Sequence, residues 1–495
     1  MRQRFEQQTT LGIKPISEVE MPLRSRDELP PVLMALKHIF VTPELNEKIF
    51  CLLEEKICER KKKTGRKGMD LWHILVLAIV RHTLDTNWDR LEYHANYDSL
   101  IRKILGIHVD IFGEKGIEFS YQSIIDNVSL IDEELIYKIN EIVVMHGQQL
   151  LKKKGSEDLR LKTDSFVLET NIHFPTDLNL LWDSLRKCLD TVKKIKASSS
   201  LTGWRKVSSI KSNIKGLFRS TSQQVFRGKD EGQKKKKVTQ YIQAGRELCK
   251  RFTEILINPP DKANDPIQLI LQLKELDKYL TYANTFINQV ERRLIKDEKI
   301  DPSEKIYSIF EPHTEWISKG KTNKAVELGH LLLITTDQNH LIMDYKIMER
   351  EKDPSQIEPL TKRLQVLFGN RKIYSHSFDK GFYSKDNYEI LNQAGIENII
   401  LPKKGKLNRT EKERESTKEF KTLRKAHSAV ESNINMLEHH GLNRCPDKGI
   451  NGFKEYVGLS VLAYNLHIIG NHLKAEEEKK EKILRKQRER YRLAA

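Results

Sequence analysis

One strand-like segment stands far from all later strand-like segments of this chain. LRLKTDSFVLET, residues 159–170, is short, rich in Val, Phe and Thr and partly alternating, which is typical of a β-strand. From about Leu180 to about Ile300 the apolar residues recur at helical spacing instead. We therefore predict a sheet whose first strand is followed by a long, all-helical insertion.

Strand character returns after residue 300 and alternates with helical patterns. Segments 330–337 and 340–348 flank Asp337-Gln338-Asn339, which is a hairpin pattern. The later predicted elements are a helix begun at Asp353 or at Ser355, a strand at 371–379, a helix at 385–394, a strand at 397–402, and two helices at 428–440 and 453–473. This order predicts an α/β fold with a mixed sheet covered by helices.

The first 150 residues have a helical pattern. Apolar spacing predicts helices near residues 71–82 and 88–93 and one further run across residues 124–142. Short helices with polar breaks beside a basic stretch are typical of a helix-turn-helix-like DNA reader. A plain helical packing domain fits the same pattern, and both interpretations stay open here.

These patterns divide the chain into four parts. We predict an N-terminal helical, DNA-binding domain at 1–150 and a discontinuous core at 151–182 and 301–473. A basic helical insertion at 183–300 separates the two parts of the core, and a charged tail at 474–495 is interpreted as a solvated helix.

The chain is basic, and most of its excess charge lies in one segment. It has 86 Lys and Arg against 69 Asp and Glu, a net charge of +17, so a polyanion is the default partner. Between Arg186 and Lys237 there are 16 basic and 3 acidic residues, and this segment ends in Lys234, Lys235, Lys236 and Lys237. This segment is interpreted as a binding surface for the phosphate backbone of nucleic acid or, alternatively, as a solvated charged insertion. A shorter basic cluster lies at 60–67.

Hydropathy and cysteine content exclude other classes of protein. The mean hydropathy is −0.57, and no stretch reaches the ~18 apolar residues that a membrane span needs. The first residues contain no apolar signal segment, so we expect a cytoplasmic protein. Five scattered cysteines indicate a reducing compartment and argue against disulfides or a cysteine zinc site.

Three carboxylates occupy positions that suit a metal centre. Asp164 lies in the middle of a predicted strand, where a charge is costly unless it is paired or binds metal. Asp379 ends a later strand, and Glu431 lies at the border of the apolar stripe of a helix. If the two strands are neighbours, the three could hold two Mg²⁺ ions, an arrangement used for phosphoryl transfer. Other acids are given structural roles: Asp337 in a turn, Asp344 on an exposed strand face, and Asp177 as a helix cap.

Two histidine-containing groups allow more than one interpretation. His439 and His440 could ligate metal, but without a cysteine partner at zinc-finger spacing a surface pair is favoured. His427, Asn435 and Glu438 share a helix side with Glu431. This side orients the glutamate, contacts DNA, or is only a polar helix face.

Several blocks around the three acids resemble a known family. They are TDSFVLETNIHFPTD, EWISKGKTNKAVELGH, SFDKGFYS, LPKKGKLN and HSAVESNINMLEHHGLNRCPDKG. They resemble the DDE transposases encoded by bacterial insertion sequences, over residues 159–183 and from 306 to about 472. The segment GRKGMDLWHILVLAIVRHTLDTNWDRLEYH resembles the helical N-terminal domain of the same broad group more loosely.

The resemblance implies a fold, an activity and a set of site residues. It implies a ribonuclease-H-like core in which Asp164, Asp379 and Glu431 are catalytic and bind two Mg²⁺ ions, with Mn²⁺ as a substitute. Such an enzyme binds the terminal inverted repeats of its element, cuts DNA as an endonuclease and joins the 3′-hydroxyl to target DNA. A homodimer or higher assembly on nucleoid DNA is implied as well.

The chain also departs from this family. Asp164 and Asp379 are 215 residues apart, a long separation that the helical insertion accounts for. Some relatives carry a Tyr-Arg-Glu-Lys signature, whose matching positions here are Arg424, His427, Glu431 and Glu438, so only the glutamate is retained.

The remaining basic and polar residues near these blocks are predicted DNA contacts. They are Lys380, Lys403, Lys404, Lys406, Arg424, His427 and Asn435, together with Lys234 to Lys237 of the insertion. Two other functions fit the same sequence. One is a metal-dependent nuclease without strand transfer, and the other is an inactive DNA-binding protein derived from a transposase.

Overall fold

The computed structural model of the protein describes residues 2–5, 14–58, 68–107, 117–152, 158–318, 325–369 and 371–494, the last four by their backbone alone. The basic cluster at 60–67 lies outside the described residues. Two compact units divide the chain: Met1–Thr170 together with Gly329–Ala495, and Asn171–Leu328.

The N-terminal part of the first unit is helical, as predicted. Its helices are α1 (Leu29–Val41), α2 (Pro43–Cys58), α3 (Leu71–Thr83), α4 (Trp88–Tyr97), α5 (Ser99–Ile104), α6 (Tyr121–Val128) and α7 (Glu133–Leu150). All thirteen residues of α3 are buried, so α3 forms the centre of this helical core. The single helical run predicted across 124–142 is wrong. It is two helices, because the Asp132 carboxylate accepts the Leu135 N–H at 3.1 Å and starts a new helix there.

The second unit consists mainly of four long helices. After β1 (Leu159–Thr170) the chain forms α8 (Asp177–Ser198), α9 (Val207–Arg227), α10 (Glu231–Ile257), α11 (Pro266–Leu294) and a short strand β2 (Glu315–Ile317). Helix α8 packs against α9 and α11, and α10 packs against the same two helices. Their shared core includes Leu185, Leu189, Phe252 and Phe286. Helices thus lie where the apolar spacing predicts them.

The remaining elements complete the first unit. They are β3 (Glu327–Thr336), β4 (Ile342–Met348), α12 (Ile357–Phe368), β5 (Ile373–Phe378), α13 (Lys385–Gln393), β6 (Asn398–Ile400), α14 (Arg409–Ser416), α15 (Lys418–His427), α16 (Ala429–Leu437), a π-helical turn (Glu438–Leu442), β7 (Arg444–Cys445) and α17 (Gly449–Ala494). Helix α17 includes the stretch predicted to be a charged tail, and residues 479–490 of this stretch are exposed.

The sheet of the first unit is mixed, which confirms the predicted α/β class. Its strands pair in the order β4-β3-β1-β5-β6, and the short strand β7 pairs with the last two residues of β1. Strand β1 is antiparallel to β3, with Glu169 opposite Gly329, and parallel to β5, which is parallel to β6. A methyl group on Gly329 would overlap the carbonyl oxygen of Leu168, so only glycine fits this close approach of the two strands.

The two faces of β1 contribute to different cores. Leu159 and Leu161 belong to the large cluster that also contains the N-terminal helices and α12. Phe166 and Leu168 point to the opposite face and join a cluster with α16 and α17. Because side chains alternate along a strand, Asp164 lies on the face of Phe166 and Leu168.

Two local predictions in this region are wrong. Helices α14 and α15 occupy the stretch predicted to be a basic polar connection, because Asn408 and Glu411 form a capping box and Phe420 anchors α15 in the core. Neither predicted start of α12 is used. A 3₁₀ turn covers Asp353–Gln356 and α12 begins at Ile357.

Within the described residues, no helix has both the length and the apolar character required to cross a membrane.

Candidate functional site

The register of two parallel strands determines where the two aspartates lie. Thr163 of β1 is paired with Phe378 of β5. The residue that follows each of these two is an aspartate, Asp164 within β1 and Asp379 directly after the end of β5, and neighbouring strands lie about 4.8 Å apart. The structure therefore brings together two acids that are 215 positions apart in the sequence.

A buried hydroxyl connects the three strands around this pair. The Thr163 Oγ1 atom lies 2.7 Å from Thr335 Oγ1 on β3 and 2.7 Å from His376 Nε2 on β5. All three residues are buried, and burial lowers the pKa of His376 to about 3. The imidazole is therefore neutral, and a neutral hydrogen-bond network holds β3, β1 and β5 in register.

Glu431 lies on α16, a helix that packs on the face of the sheet that carries Asp164. This helix packs against β1 and buries Val430, Asn433 and Leu437 on its inner side. The Asn433 Oδ1 atom lies 2.9 Å from His340 Nδ1 in the hairpin turn between β3 and β4. Glu431 follows Val430 directly, so it lies at the border of the buried stripe and is exposed. The geometry thus places Glu431 on the helix that covers the face of Asp164.

His427 lies next to the second aspartate. Its Nδ1 atom is 2.9 Å from the Oγ atom of Ser377, which pairs with Lys162 across the two strands. Burial lowers the pKa of His427, the negative charge of Asp379 opposes this shift, and the positive charge of Lys162 adds to it. His427 therefore stays neutral at neutral pH and adds no positive charge beside the acids.

Sequence reasoning missed Lys162. It lies on the same strand face as Asp164, two residues earlier, and burial lowers its pKa. The alternation of LRLKTDSF contained the signal, since Lys162 and Asp164 share one side of a strand. A half-buried ammonium group beside the acids offsets part of their negative charge.

Sequence reasoning also missed Asp353. Its Oδ1 atom accepts the hydroxyl of Ser165 at 2.7 Å, and a methyl group on Gly381 would come within 3.1 Å of its Oδ2 atom. Ser165 follows Asp164 directly, and Gly381 is two residues after Asp379. A fourth carboxylate therefore lies beside the chain segments that follow both aspartates. No sequence signal indicated this, because the contact depends on how the 3₁₀ turn before α12 meets the strand ends.

The other acids have structural roles, and two of the three predicted roles are wrong. Asp337 is a turn residue as predicted, and its carboxylate accepts the N–H groups of Asn339 and Leu341. Asp344 is buried rather than exposed, with a bidentate ion pair to Arg363 at 2.7 and 2.8 Å. Asp177 is the first residue of α8, whose cap is the preceding threonine.

Most of the predicted DNA contacts in the first unit are exposed. Those on the surface are Lys380, Lys404, Lys406, Arg424 and Asn435. Lys403 is different, because its ammonium group is 2.9 Å from both carboxylate oxygens of Glu411. It is therefore paired within the chain.

The four lysines of the insertion lie in the first turns of α10. Lys234 forms an ion pair with Glu231, and Lys235 pairs with Asp297 at 2.9 Å. Lys236 is exposed and has no ion pair within the described part of the chain. The four charges therefore differ in how much they are neutralised by the protein itself.

The residues at the acid site fit a magnesium centre. Asp164, Asp379 and Glu431 supply only carboxylate oxygens, the hard ligands that Mg²⁺ prefers. The Asp164 Oδ1 atom accepts the backbone N–H of Ser165 at 2.7 Å, which orients this carboxylate. Asp379 and Glu431 are exposed, so the site is open to a phosphate group and to water.

Comparison with known families identifies the domain. Residues 291–466 match the family model described as the transposase DDE domain. This match includes the segments that carry Asp379 and Glu431, and it confirms the resemblance to DDE transposases. Over these residues the chain is thus similar to a transposase DDE domain. Searches of curated proteins and of solved structures found no match.

Proposed function

We propose that this protein is the transposase of a bacterial insertion sequence, with a ribonuclease-H-like core that cuts DNA at the element ends and joins the 3′-hydroxyl to target DNA. The observation that supports this most directly is the pairing of Thr163 with Phe378, because it makes Asp164 and Asp379 neighbours. A second supporting observation is that α16, the helix of Glu431, packs against β1 on the face that carries Asp164.

The three acids would hold two Mg²⁺ ions. When bound, such an ion pair activates the attacking oxygen and stabilises the leaving oxygen of the phosphodiester. Asp164 within β1 and Asp379 just after β5 would hold the ions, and Glu431 would complete the coordination of the second ion. Water and then the DNA 3′-hydroxyl are the nucleophiles, so the protein needs no covalent nucleophile of its own.

Two further residues support this assignment through their charge. Neutral His427, hydrogen-bonded to Ser377, leaves the acids available for cations. Lys162 reduces the mutual repulsion of the carboxylates while the site contains no ion. Both would act through the acids as positioning residues.

The DNA partner would be double-stranded, as terminal inverted repeats and as target. Exposed Lys380, Lys404, Lys406 and Arg424 would contact its phosphates, with Asn435 and His427 on the helix side around Glu431. We propose a homodimer or higher assembly that holds two element ends, in the cytoplasm and on the nucleoid.

The first prediction concerns the three acids. Asp164→Asn, Asp379→Asn and Glu431→Gln should each lower Mg²⁺-dependent cleavage by at least about 100-fold, because removal of one electrostatic group at a reacting centre costs about 10² to 10³ in rate. DNA affinity should stay within a few-fold of wild type in all three. Cleavage is measured on duplexes that carry the inverted repeats flanking the coding region.

Two exposed acids provide matched controls. Asp386→Asn and Glu389→Gln, both on α13, remove the same charge near Asp379 and should leave cleavage unchanged. If the three site variants cleave as fast as these controls, the site assignment is wrong.

A second assay separates transposition from its alternatives. Wild-type protein with pre-cut ends and target DNA in Mg²⁺ should give joined products. Cleavage without joined products would indicate a nuclease instead. DNA binding with neither reaction would indicate an inactive DNA-binding protein.

A further inference from the structure

Three residues form a cluster that the acid site does not use. They are Glu28, just before α1, His440 in the π-helical turn, and His467 on α17. One nitrogen or carboxylate oxygen from each can be chosen so that all three atoms lie within 4.8 Å of one another. The His440 Nε2 and His467 Nδ1 atoms are only 3.1 Å apart.

The two histidines are buried. His440 is 1% exposed and His467 is 7% exposed, which corrects the surface pair predicted for His439 and His440. The nitrogen of His440 that faces His467 is Nε2, so Nε2 is the ligand atom of this residue. The other ring nitrogen of His440, Nδ1, lies 3.9 Å from the Glu28 Oε2 atom.

The backbone at His440 has an unusual conformation that directs this histidine inward. The turn Glu438–Leu442 ends the regular helix, with non-helical backbone angles at His440 and Gly441, and Gly441 has a φ of +91°. A methyl group on Gly441 would overlap the hydroxyl of Tyr456, so a side chain cannot be accommodated there. His439 in the same turn remains exposed.

We propose that Glu28, His440 and His467 bind a divalent transition-metal ion, Zn²⁺ by the chemistry of the ligands. Two imidazoles and one carboxylate suit Zn²⁺, whereas Mg²⁺ prefers oxygen ligands. The 3.1 Å separation of the two nitrogens is close to that expected for two ligands at about 2.0–2.1 Å from one tetrahedral ion. The Glu28 side chain is 44% exposed, so water can occupy the fourth position.

Such an ion would have a structural role. His440 lies in the turn that directly follows α16, the helix of Glu431, whereas Glu28 precedes α1 and His467 belongs to α17. The ion would therefore fix the end of the glutamate-bearing helix to two other helices of the same unit. None of its three ligands belongs to the acid site, so the two sites can be tested separately.

The experiment measures metal binding in a chain whose acid site is disabled. Full-length Asp164→Asn/Glu431→Gln protein is stripped with a chelator and titrated with Co²⁺, a spectroscopic substitute for Zn²⁺. We expect one Co²⁺ per chain, with visible absorption of an imidazole-ligated ion of low coordination number. Zn²⁺ should displace it, and excess Mg²⁺ should not.

Variants in the same background identify the ligands. His440→Gln and His467→Gln should each lower Co²⁺ affinity by at least about 100-fold, since loss of an outer-shell partner alone costs about 10–100-fold. The matched control, His439→Gln, changes the neighbouring exposed histidine and should bind like its parent. Glu28→Gln tests the partly exposed ligand with little risk to folding, and circular dichroism checks the fold of each variant.

Two results would overturn the proposal. One is a stripped parent protein that binds no Co²⁺ with imidazole-type absorption. The other is a Glu28→Gln or His440→Gln protein that binds Co²⁺ as tightly as the His439→Gln control. In either case the two histidines are only a hydrogen-bonded pair in the core.

Discussion

Thr163 carries one hydroxyl group, and that group connects all three strands on which the aspartate pair depends. It has partners on β3 and on β5, Thr335 and His376, each at 2.7 Å. Thr336 provides a contrast on β3, because its hydroxyl is also buried but has no hydrogen-bond partner within the described residues.

This contrast predicts opposite effects of the same substitution. Thr163→Val removes a hydrogen-bonded hydroxyl, so its two buried partners each lose a hydrogen bond. This loss should lower the free energy of unfolding by about 1–3 kcal/mol. Amide exchange of β1 should then accelerate by about 5- to 150-fold, as measured by mass spectrometry. Thr336→Val is isosteric and should leave the exchange equal or slower. Equal acceleration by both variants would show that the hydroxyl network does not hold the strands together.

Single residues also show which parts of the site could be predicted from the sequence. Asp164, Asp379 and Glu431 can be proposed from the sequence because an acid in a strand, an acid at a strand end and an acid beside an apolar stripe are local patterns. Asp353 was not found, because its contact with Ser165 depends on packing between elements. His440 was assigned to the surface because neither the π-helical turn nor the position of His467 has a local pattern.

At the level of elements, α17 combines an apolar core helix with a half-buried acidic group. Glu455 lies near Asp132, Glu133 and Asp447, and its pKa is raised from 4.5 to about 7, mainly by burial. The folded protein therefore binds this proton more tightly than the unfolded chain. Stability should fall as the pH rises from about 4.5 to about 7, where the half-buried carboxyl group must ionise.

Glu455→Gln should remove this pH dependence. The variant should melt at a higher temperature than wild type at pH 8 and at the same temperature at pH 4.5, as measured by thermal unfolding. Glu477→Gln on the exposed part of α17 is the matched control and should have no effect at either pH. Identical melting of Glu455→Gln and wild type at pH 8 would contradict the prediction.

The elements that were predicted correctly have clear apolar patterns, and those that were missed do not. The hairpin β3–β4 and helices α10 to α12 have regular apolar spacing. Helix α14, RTEKERES, has no apolar residue, so its capping box and its contacts with other elements stabilise it. A pattern based on hydrophobic periodicity cannot detect such a helix.

At the level of the whole molecule, the concentrated positive charge predicts how DNA binding depends on salt. Each phosphate contact contributes about 0.9 to the slope of log K against log salt concentration. Lys234 and Lys235 are already paired with acids of the chain. Replacing Lys234 to Lys237 with alanine should therefore reduce the slope by about 2 rather than by the full value for four contacts.

The measurement is a salt titration of binding to a random-sequence duplex. Alanine at Lys479, Lys480, Lys482 and Lys486, on the exposed tail of α17, changes the net charge equally and is the matched control. An unchanged slope in the α10 variant would indicate that these lysines do not contact DNA and that the segment is a solvated charged insertion.

The position of the insertion has a consequence for the length of the chain between β1 and β3. The insertion leaves β1 and returns on β3 at two residues that face each other, Glu169 and Gly329. This connection therefore joins two adjacent antiparallel strands, as a hairpin loop does, whatever number of residues it contains. The closure entropy of a loop grows only by about 0.6 kcal/mol for each doubling of its length. Whole helices can thus be gained or lost at this point while the strands that carry the aspartates keep their spacing.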